Sequence, residues 1–278
     1  MIRRLSLAAL LGLGLASCHP VDGVENSAEA KGATVDPARF DAFYLWPGVR
    51  PAANLHPHTL YLLDGEIRRT GPPHLHRLRM GVPRLPGKAV WLVVRADRLD
   101  WSKAAYADIL ADLQRWRDAG NDVVGLQVDF DAATRGIGGY AAFLGELRAR
   151  LPRQWKLSVT GLMDWSAHGD PQALAKLAHV IDDVVVQTYQ GRDTIPGYDA
   201  YFRRMDGFPI PFHVALVEGG QWRAPPSLAH HPRFRGYVVF LLNPKRQAKK
   251  TPLEINSNSG AEVQGGCCFK GGEATSSN

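Results

Sequence analysis

One apolar segment near the middle of the chain carries three polar side chains at alternating positions. It reads GLQVDFD from Gly125 to Asp131, so that Gln127, Asp129 and Asp131 alternate with large apolar residues. Successive side chains of a β-strand point to opposite faces, and the three polar groups therefore share one face. Like charges about 6–7 Å apart on a partly desolvated face raise the pKa of one carboxyl and leave the other ionised. Such a pair can supply a general acid with an anionic partner.

Eight apolar runs rich in Val, Leu, Ile and aromatic residues indicate the strands that position this pair, because strands covered on both faces form near-continuous apolar runs. The runs are Ala42–Trp46, Leu60–Leu63, Ala89–Arg95, Val123–Phe130, Lys156–Leu162, Asp183–Tyr189, Phe212–Val217 and Tyr237–Leu242. Helical spacing marks the intervening segments Ala104–Ala119, Tyr140–Arg150, Pro171–His179 and Tyr198–Met205.

Strand–helix alternation indicates a parallel sheet, and eight strands predict an α/β fold, a small (β/α)8 TIM-type barrel. The helix of the second unit is poorly marked and none follows the eighth strand, so we expect a barrel trimmed in its second and last units. An open doubly wound sheet is the alternative, although no GxGxxG or GxxxxGK[ST] motif follows any strand. In a barrel the site lies at the carboxyl ends of the strands.

Further aromatic and polar residues stand at or just after strand ends. Aromatic faces stack on the C–H surfaces of sugars, while carboxylates and amides bind sugar hydroxyls. We therefore expect a substrate-binding set of Gln127, Gln187, Trp46, Asp164, Trp165, Glu218 and Trp222. The alternatives are that the tryptophans serve packing and that the two aspartates are structural acceptors or ligands.

The fourth strand resembles the DGxDxDxE signature of glycoside hydrolase family 18, the chitinase family. Gln127 and Asp129 stand at its second and third Asp, and Asp131 stands at its catalytic Glu, one methylene shorter. The segment Gln187–Gln190 is similar to the MxYD of that family, with Tyr189 on the tyrosine that contacts the reacting group. The resemblance implies that Asp131 protonates the glycosidic oxygen, that Asp129 supports it, and that Tyr189 positions the reacting group.

A closer resemblance covers most of residues 36–244. The phrases GLQVDFDAAT, LSVTGLMDW, VVVQTYQGRDT and GYVVFLLNP are similar to the bacterial domain-of-unknown-function family 3142. Its members are mostly exported proteins and lipoproteins with a glycosidase-like barrel. This resemblance implies a fold and an exported location, and it supplies no reaction.

The first 18 residues predict a signal peptide. Arg3 and Arg4 precede an apolar stretch that is too short to span a bilayer. The sequence Leu15–Cys18 resembles the lipobox of bacterial lipoproteins, in which the cysteine is acylated and becomes the mature N-terminus. We expect a lipid on Cys18 to hold the protein in the bacterial cell envelope, facing the periplasm or at the outer membrane. The alternative is an ordinary cleaved signal with an incidental cysteine.

Composition divides the rest of the chain. Residues 19–35 form a polar linker, residues 36–244 the barrel, and residues 245–278 a tail rich in Gly, Ser, Asn and Lys that we expect to be disordered. The net charge of +6 arises mostly from the signal and the tail, and no basic stripe indicates a nucleic-acid partner.

Neither a cofactor nor a metal is expected. The histidines of the segment from His56 to His76 lie in Pro-rich sequence without the spacing of metal ligands, which favours a solvated loop. None of the three cysteines lies between Cys18 and Cys267, so the barrel has no disulfide and no cysteine nucleophile, and no GxSxG motif is present.

Together these features predict an envelope-anchored glycoside hydrolase-like protein that acts on a polysaccharide or glycan through the aspartate pair. The alternative is a non-catalytic glycan-binding or envelope-assembly lipoprotein of the same fold, which the neutral Gln127 and Gln190 favour. Whether the barrel is an enzyme stays open at this point, because a fold alone does not determine a reaction.

Replacement of Cys18 tests the membrane attachment. Cys18→Ser removes the thiol that would carry the lipid, so we expect the protein to leave the membrane fraction or to remain unprocessed. Fractionation followed by immunoblotting measures this, with the unsubstituted protein as reference. Normal membrane partition of Cys18→Ser would contradict lipidation.

Overall fold

A computed structural model of the protein describes residues 32–243, and its centre is a closed ring of parallel strands. The eight barrel strands are β1 (Ala42–Leu45), β2 (Thr59–Ile67), β3 (Ala89–Ala96), β4 (Asp122–Asp129), β5 (Lys156–Leu162), β6 (Asp183–Gln187), β7 (Phe212–Val217) and β8 (Phe234–Phe240). Each strand pairs with its neighbours in chain order, and β1 pairs with both β2 and β8. The predicted (β/α)8 barrel is confirmed.

Helices cover the outside of the later units. They are α1 (Lys103–Asp118), α2 (Ile137–Arg150), α3 (Met163–His168), α4 (Pro171–Leu177), α5 (Tyr198–Arg203) and α6 (Pro226–Ala229), with 3-10 turns at Pro37–Arg39 and Thr134–Gly136. The second unit has no helix, as predicted, and carries a two-residue strand, His76–Arg77, antiparallel to β2. The first unit also lacks an α-helix, and the seventh unit carries the four-residue α6.

Capping side chains set the starts of two helices. The Ser102 hydroxyl accepts a hydrogen bond from the backbone N–H of Ala105 at the start of α1. Asp170 does the same for Ala173 at the start of α4, with Pro171 in the first turn. These caps satisfy N–H groups that have no partner within the helix.

The interior of the barrel is aromatic on one side and polar on the other. Strands β2 and β3 contribute Tyr61 and Trp91, whose rings stack with centroids 5.9 Å apart. Strands β4 to β6 contribute Gln127, Ser158 and Asp183, all of them buried. Buried polar groups require hydrogen-bond partners, so this side of the barrel needs an internal network.

The packed chain begins inside the segment predicted as a linker. Ala33–Thr34 pairs with Gln221–Trp222, and Val35 is buried. Residue 35 therefore belongs with the barrel, because its side chain packs in the hydrophobic core. The predicted signal peptide, the linker up to residue 31 and the tail from residue 245 lie outside the described residues. Within residues 32–243, no helix combines the length and apolar character needed to cross a membrane.

A buried carboxyl lies between the barrel and α1. Asp64 occupies the irregular position of β2, where the pairing register with β3 shifts, and it is only 1% exposed. The Trp116 indole N–H donates to its Oδ1 at 3.1 Å. Burial, followed by the nearby Asp112 carboxylate, raises the pKa of Asp64 to about 6. The proton on Asp64 is thus held more tightly in the folded protein than in the unfolded chain.

Asp64→Asn is expected to change how stability depends on pH. Because the folded-state pKa is raised, the contribution of Asp64 to stability is fully present below about pH 4 and is lost as pH rises through about 6. Asparagine keeps an acceptor for Trp116 and cannot ionise. The free energy of unfolding of the parent should fall by up to about 3 kcal/mol over this pH range, and that of the variant should not. Urea unfolding at a series of pH values measures the difference. Asp118→Asn, on the exposed side of α1, is the control, and an unchanged pH slope in Asp64→Asn would contradict the expectation.

Candidate functional site

A cavity of about 400 Å³ opens at the carboxyl ends of the barrel strands. This is the end at which barrel proteins carry their sites. The cavity is lined by Tyr44, Trp46, Arg69, Val93, Arg95, Ala96, Asp97, Asp129, Phe130, Asp131, Thr160, Val185, Gln187, Tyr189, Gly191, Ala215 and Phe240. The three residues predicted to be catalytic are therefore brought together on one cavity.

Asp129 is the last residue of β4 and lies partly buried in the cavity wall. The Thr160 hydroxyl, on the neighbouring strand β5, donates to its Oδ1 at 2.9 Å. Burial raises the pKa of Asp129, while the hydrogen bond from Thr160 and the charge of Arg95 act in the opposite direction. The Asp131 and Asp97 carboxylates add to the rise. The site therefore contains a carboxyl that binds its proton more tightly than an ordinary aspartate.

Asp131 lines the same cavity but is exposed. Strand β4 ends at Asp129, and the chain then turns, with the Ala132 N–H donating to the Phe130 carbonyl. Asp131 therefore lies beyond the end of the strand, and the alternation expected from the sequence does not bury its side chain. The desolvated member of the pair is Asp129, whereas the sequence comparison suggested Asp131 as the protonated acid.

Tyr189 is buried against the eighth strand. Its ring centroid lies 5.6 Å from that of Phe240, and burial raises the pKa of its hydroxyl far above the ordinary value. The Gln187 amide donates to the Tyr189 carbonyl at 2.8 Å. Tyr189 also pairs with Thr194 in a short hairpin whose two strands are two residues long. The hydroxyl of Tyr189 is therefore a neutral group on a fixed backbone.

Another part of the cavity wall combines an aromatic face with a cation. The rings of Trp46 and Phe240 meet edge to face at 5.5 Å, and the Arg95 guanidinium lies 5.4 Å from the centre of the Trp46 ring. Trp46 is only partly buried and lines the cavity. Aromatic faces of this kind stack on apolar surfaces of polar ligands.

Gln127 lies beneath the cavity and does not line it. Its side chain is fully buried, its Oε1 accepts from the Tyr44 hydroxyl at 2.7 Å, and its Nε2 donates to the Ser158 hydroxyl at 3.0 Å. Both functional groups of the amide are engaged within the protein. Gln127 therefore supports Tyr44 from below the cavity, whereas the sequence-based expectation placed it among the substrate-binding residues.

Two further predicted residues lie away from the cavity because α3 begins at Met163, directly after β5. Asp164 is exposed on this helix and accepts a hydrogen bond from the Thr134 hydroxyl. Trp165 is completely buried and packs against Phe208. The expectation placed both residues at the end of a strand, whereas the early helix directs the chain outward.

Glu218 and Trp222, which follow β7, also do not line the cavity. The Glu218 carboxylate accepts a hydrogen bond from the backbone N–H of Leu242 at 2.7 Å and so ties the ends of β7 and β8. Trp222 stacks on Tyr198 with ring centroids 4.4 Å apart, in the core outside the barrel. Both side chains serve the structure, which is the alternative considered for the tryptophans.

The cavity residues that the sequence analysis missed include Tyr44, Thr160 and Phe240. Thr160 alternates with Ser158 in the fifth strand, and the period-two argument applied to β4 would have placed both inside the barrel. Tyr44 and Phe240 stand in apolar runs, where aromatic residues at the cavity are indistinguishable from core residues. Within the described part of the chain, no cluster of three or more His, Cys, Asp or Glu residues has a metal-binding arrangement.

The central part of the chain matches a known family. Residues 87–202 match the model of DUF3142, a domain of unknown function. The resemblance inferred from the sequence is thereby confirmed. The matched region extends from the start of β3 into α5 and contains Asp129, Asp131 and Tyr189. No curated protein matches the chain in sequence.

Solved structures with a similar fold include three chitinase-related or lytic proteins. The spore cortex-lytic enzyme SleL of Bacillus cereus is 18% identical, with a TM-score of 0.44 over 64% of this chain and 50% of that one. The chitinase domain of the spore coat protein CotE from Clostridium difficile is 14% identical, with a TM-score of 0.42 over 71% and 68%. A tamarind chitinase-like lectin is 11% identical, with a TM-score of 0.42 over 72% and 93%. The chain thus spans about half the length of SleL, and at these identities and TM-scores no property of these proteins is carried over to this chain.

Removal of the Thr160 hydroxyl should raise the pKa of Asp129 further. The hydroxyl donates to the ionised carboxylate and favours it, so Thr160→Val takes away a group that lowers the pKa. Carbon-detected NMR of ¹³Cγ-labelled aspartate measures the titration directly. Thr160→Ser keeps the hydroxyl and should behave like the parent protein. A lower pKa in Thr160→Val would show that Thr160 does not stabilise the carboxylate.

Proposed function

We propose that the protein is an envelope-anchored, glycoside hydrolase-like protein that acts on a glycan or polysaccharide. The observation that carries this proposal is the pair formed by Asp129 and Asp131 at one cavity. One carboxyl is desolvated, with a raised pKa, and the other is exposed to solvent. Glycoside hydrolysis requires two carboxyl groups in different environments, one to donate a proton and one to act as an anion.

The geometry favours Asp129 as the proton donor. Its Oδ1 accepts from Thr160, which leaves Oδ2 to carry the proton of the neutral carboxyl. A proton on Oδ2 can be delivered to a glycosidic oxygen in the cavity, and the negative charge that remains is then stabilised by Thr160 and Arg95. Asp131 supplies the anionic partner at the rim. These roles are the reverse of those that the family 18 resemblance implies.

The walls of the cavity suit a sugar. Its volume of about 400 Å³ lies within the range of small-molecule sites. Trp46 and Phe240 offer apolar faces for the C–H surface of a ring, and Asp97 and Asp131 offer acceptors for hydroxyl groups. Arg95 adds a donor beside Trp46. A ligand rich in both hydroxyl groups and apolar C–H surface fits this combination.

The proposed location depends on the N-terminal sequence. A lipid on Cys18 would attach the protein to a membrane of the bacterial envelope, facing the periplasm or at the outer membrane. Glycans of the envelope or its surroundings are then the substrates within reach.

A second candidate function is glycan binding without hydrolysis. It is favoured by the neutral Gln127, whose hydrogen-bonding groups are both engaged inside the barrel, and by the exposure of Asp131. An anionic partner that is exposed to solvent has less influence on the reacting centre, because water screens its charge.

The test combines turnover with stability for two variants. We expect Asp129→Asn to lower glycan turnover by roughly 100- to 10,000-fold, the usual contribution of general acid catalysis. Its melting temperature should stay close to that of the parent, because asparagine retains an acceptor for Thr160. Activity of the parent should fall as pH rises through the raised pKa of Asp129, since only the protonated carboxyl can donate. Asp131→Asn should also reduce turnover.

Asp164→Asn is the matched control, because this carboxylate is exposed and lies outside the cavity. It should leave turnover unchanged. Binding of a glycan panel without hydrolysis by the parent protein, equal in Asp129→Asn, would select the binding function. The absence of both binding and hydrolysis across the panel would contradict both candidates.

A further inference from the structure

A row of hydrogen-bonded side chains crosses the barrel interior from the cavity toward the amino ends of the strands. The Tyr44 hydroxyl lies 2.7 Å from Gln127 Oε1, and Gln127 Nε2 lies 3.0 Å from the Ser158 hydroxyl. The Ser158 hydroxyl reaches Asp183 Oδ2 over a long 3.4 Å contact. His213 Nδ1 lies 3.1 Å from the other oxygen of Asp183. Five strands each contribute one member.

The donor and acceptor properties of these side chains determine in which direction the hydrogen bonds of the row point. An amide oxygen only accepts and an amide nitrogen only donates, and an ionised carboxylate only accepts. With Asp183 ionised, the Ser158 hydroxyl donates to the carboxylate and its oxygen accepts from Gln127. The amide oxygen of Gln127 is then left to accept from Tyr44. Every proton between Tyr44 and Asp183 therefore points away from the cavity, and His213 donates to Asp183 from the other end of the row.

The opposite direction is disfavoured by the buried carboxylate. Rotation of the Gln127 amide would require Ser158 to donate to Gln127 and would take a donor away from Asp183. Asp183 is 7% exposed, and burial raises its pKa, while His213 and Ser158 lower it. The groups around it are His213 from β7, Ser158 from β5, the backbone N–H of Val184 and the Tyr61 hydroxyl from β2. A buried carboxylate that loses a donor is destabilised, and this selects the first direction.

We propose that Gln127, Ser158 and Asp183 are positioning residues that fix the Tyr44 hydroxyl as a hydrogen-bond acceptor toward the cavity. The Tyr44 hydroxyl donates its proton to Gln127, so only the lone pairs of the hydroxyl oxygen face a ligand in the cavity. The ligand group above Tyr44 must then be a donor, such as a hydroxyl or an amide N–H, and an ether or carbonyl oxygen at that place is rejected. The proposal uses the cavity of the proposed function, but the direction of the row does not depend on any reaction.

Hydroxyl exchange of tyrosine tests the direction without a ligand. In the full chain labelled with ¹³Cζ-tyrosine, the deuterium isotope effect on each ¹³Cζ signal reports how fast its hydroxyl proton exchanges with water. We expect the Tyr44 proton to exchange slowly, because it is buried in a hydrogen bond to Gln127. Tyr44→Phe assigns its signal, and the buried Tyr140 on α2 serves as an internal reference.

Asp183→Asn should reverse the row. The new amide can donate to Ser158, which then donates to a rotated Gln127, and the Tyr44 proton turns toward the cavity. Its exchange should accelerate by about tenfold or more, the factor expected when a buried hydrogen bond is lost. Ser158→Ala removes the link to Asp183 and leaves the Gln127 amide free to rotate, so the exchange should also accelerate. Tyr140 should be unaffected in both variants, and Asp118→Asn should change nothing.

Two results would overturn the proposal. The first is fast exchange of the Tyr44 hydroxyl in the unsubstituted protein, which needs no variant to fold. The second is slow exchange that persists in folded Asp183→Asn, which would show that the carboxylate does not set the direction. Neither result depends on glycan turnover, so failure of this proposal is distinguishable from failure of the proposed function.

Discussion

The closure of the barrel between β8 and β1 is the constraint on which the site depends. The register pairs Val239 with Phe43 and Phe240 with Tyr44. This pairing brings the aromatic side chains of the first and last strands to the cavity that holds Asp129. Without closure, Tyr44 and Phe240 would lie on opposite edges of an open sheet, and the carboxyl would face solvent. The raised pKa of Asp129 comes mainly from burial, so it is a property of the closed ring and not of β4 alone.

The same closure accounts for the divided interior. A barrel of eight strands has room inside only for side chains, and here one side is filled by rings and the other by an ordered polar row. The rings exclude water, which strengthens each hydrogen bond of the row and makes an unpaired group costly. Gln127, Ser158 and Asp183 are therefore tolerated inside because each finds a partner on the neighbouring strand. The aromatic and polar sides thus depend on each other.

Local sequence patterns predicted the barrel and the placement of Asp129, since both depend on period-two alternation within strands. The positions of Asp131 and Trp165 could not be predicted in this way. Each depends on where a strand ends: β4 stops at Asp129, and α3 starts one residue after β5. Strand ends are fixed by tertiary pairing, which a single sequence does not display. The internal role of Gln127 could not be predicted either, because its partners Tyr44 and Ser158 are 83 and 31 residues away in sequence. The local pattern showed only a polar side chain that points into the barrel.

The two units without α-helices indicate where the sequence of such a barrel can change during evolution. The connections that follow β1 and β2 contain no α-helix, yet each sends a residue, Trp46 or Arg69, to the mouth of the cavity. The free-energy cost of lengthening a surface loop grows only slowly with its length, and loops accept insertions more readily than helices or strands. Evolution can therefore reshape the entrance through these two loops while the pairing of the ring and the carboxyl beneath it stay the same. The barrel thus separates the loops at the mouth of the cavity from the paired strands that hold Asp129 and Tyr44.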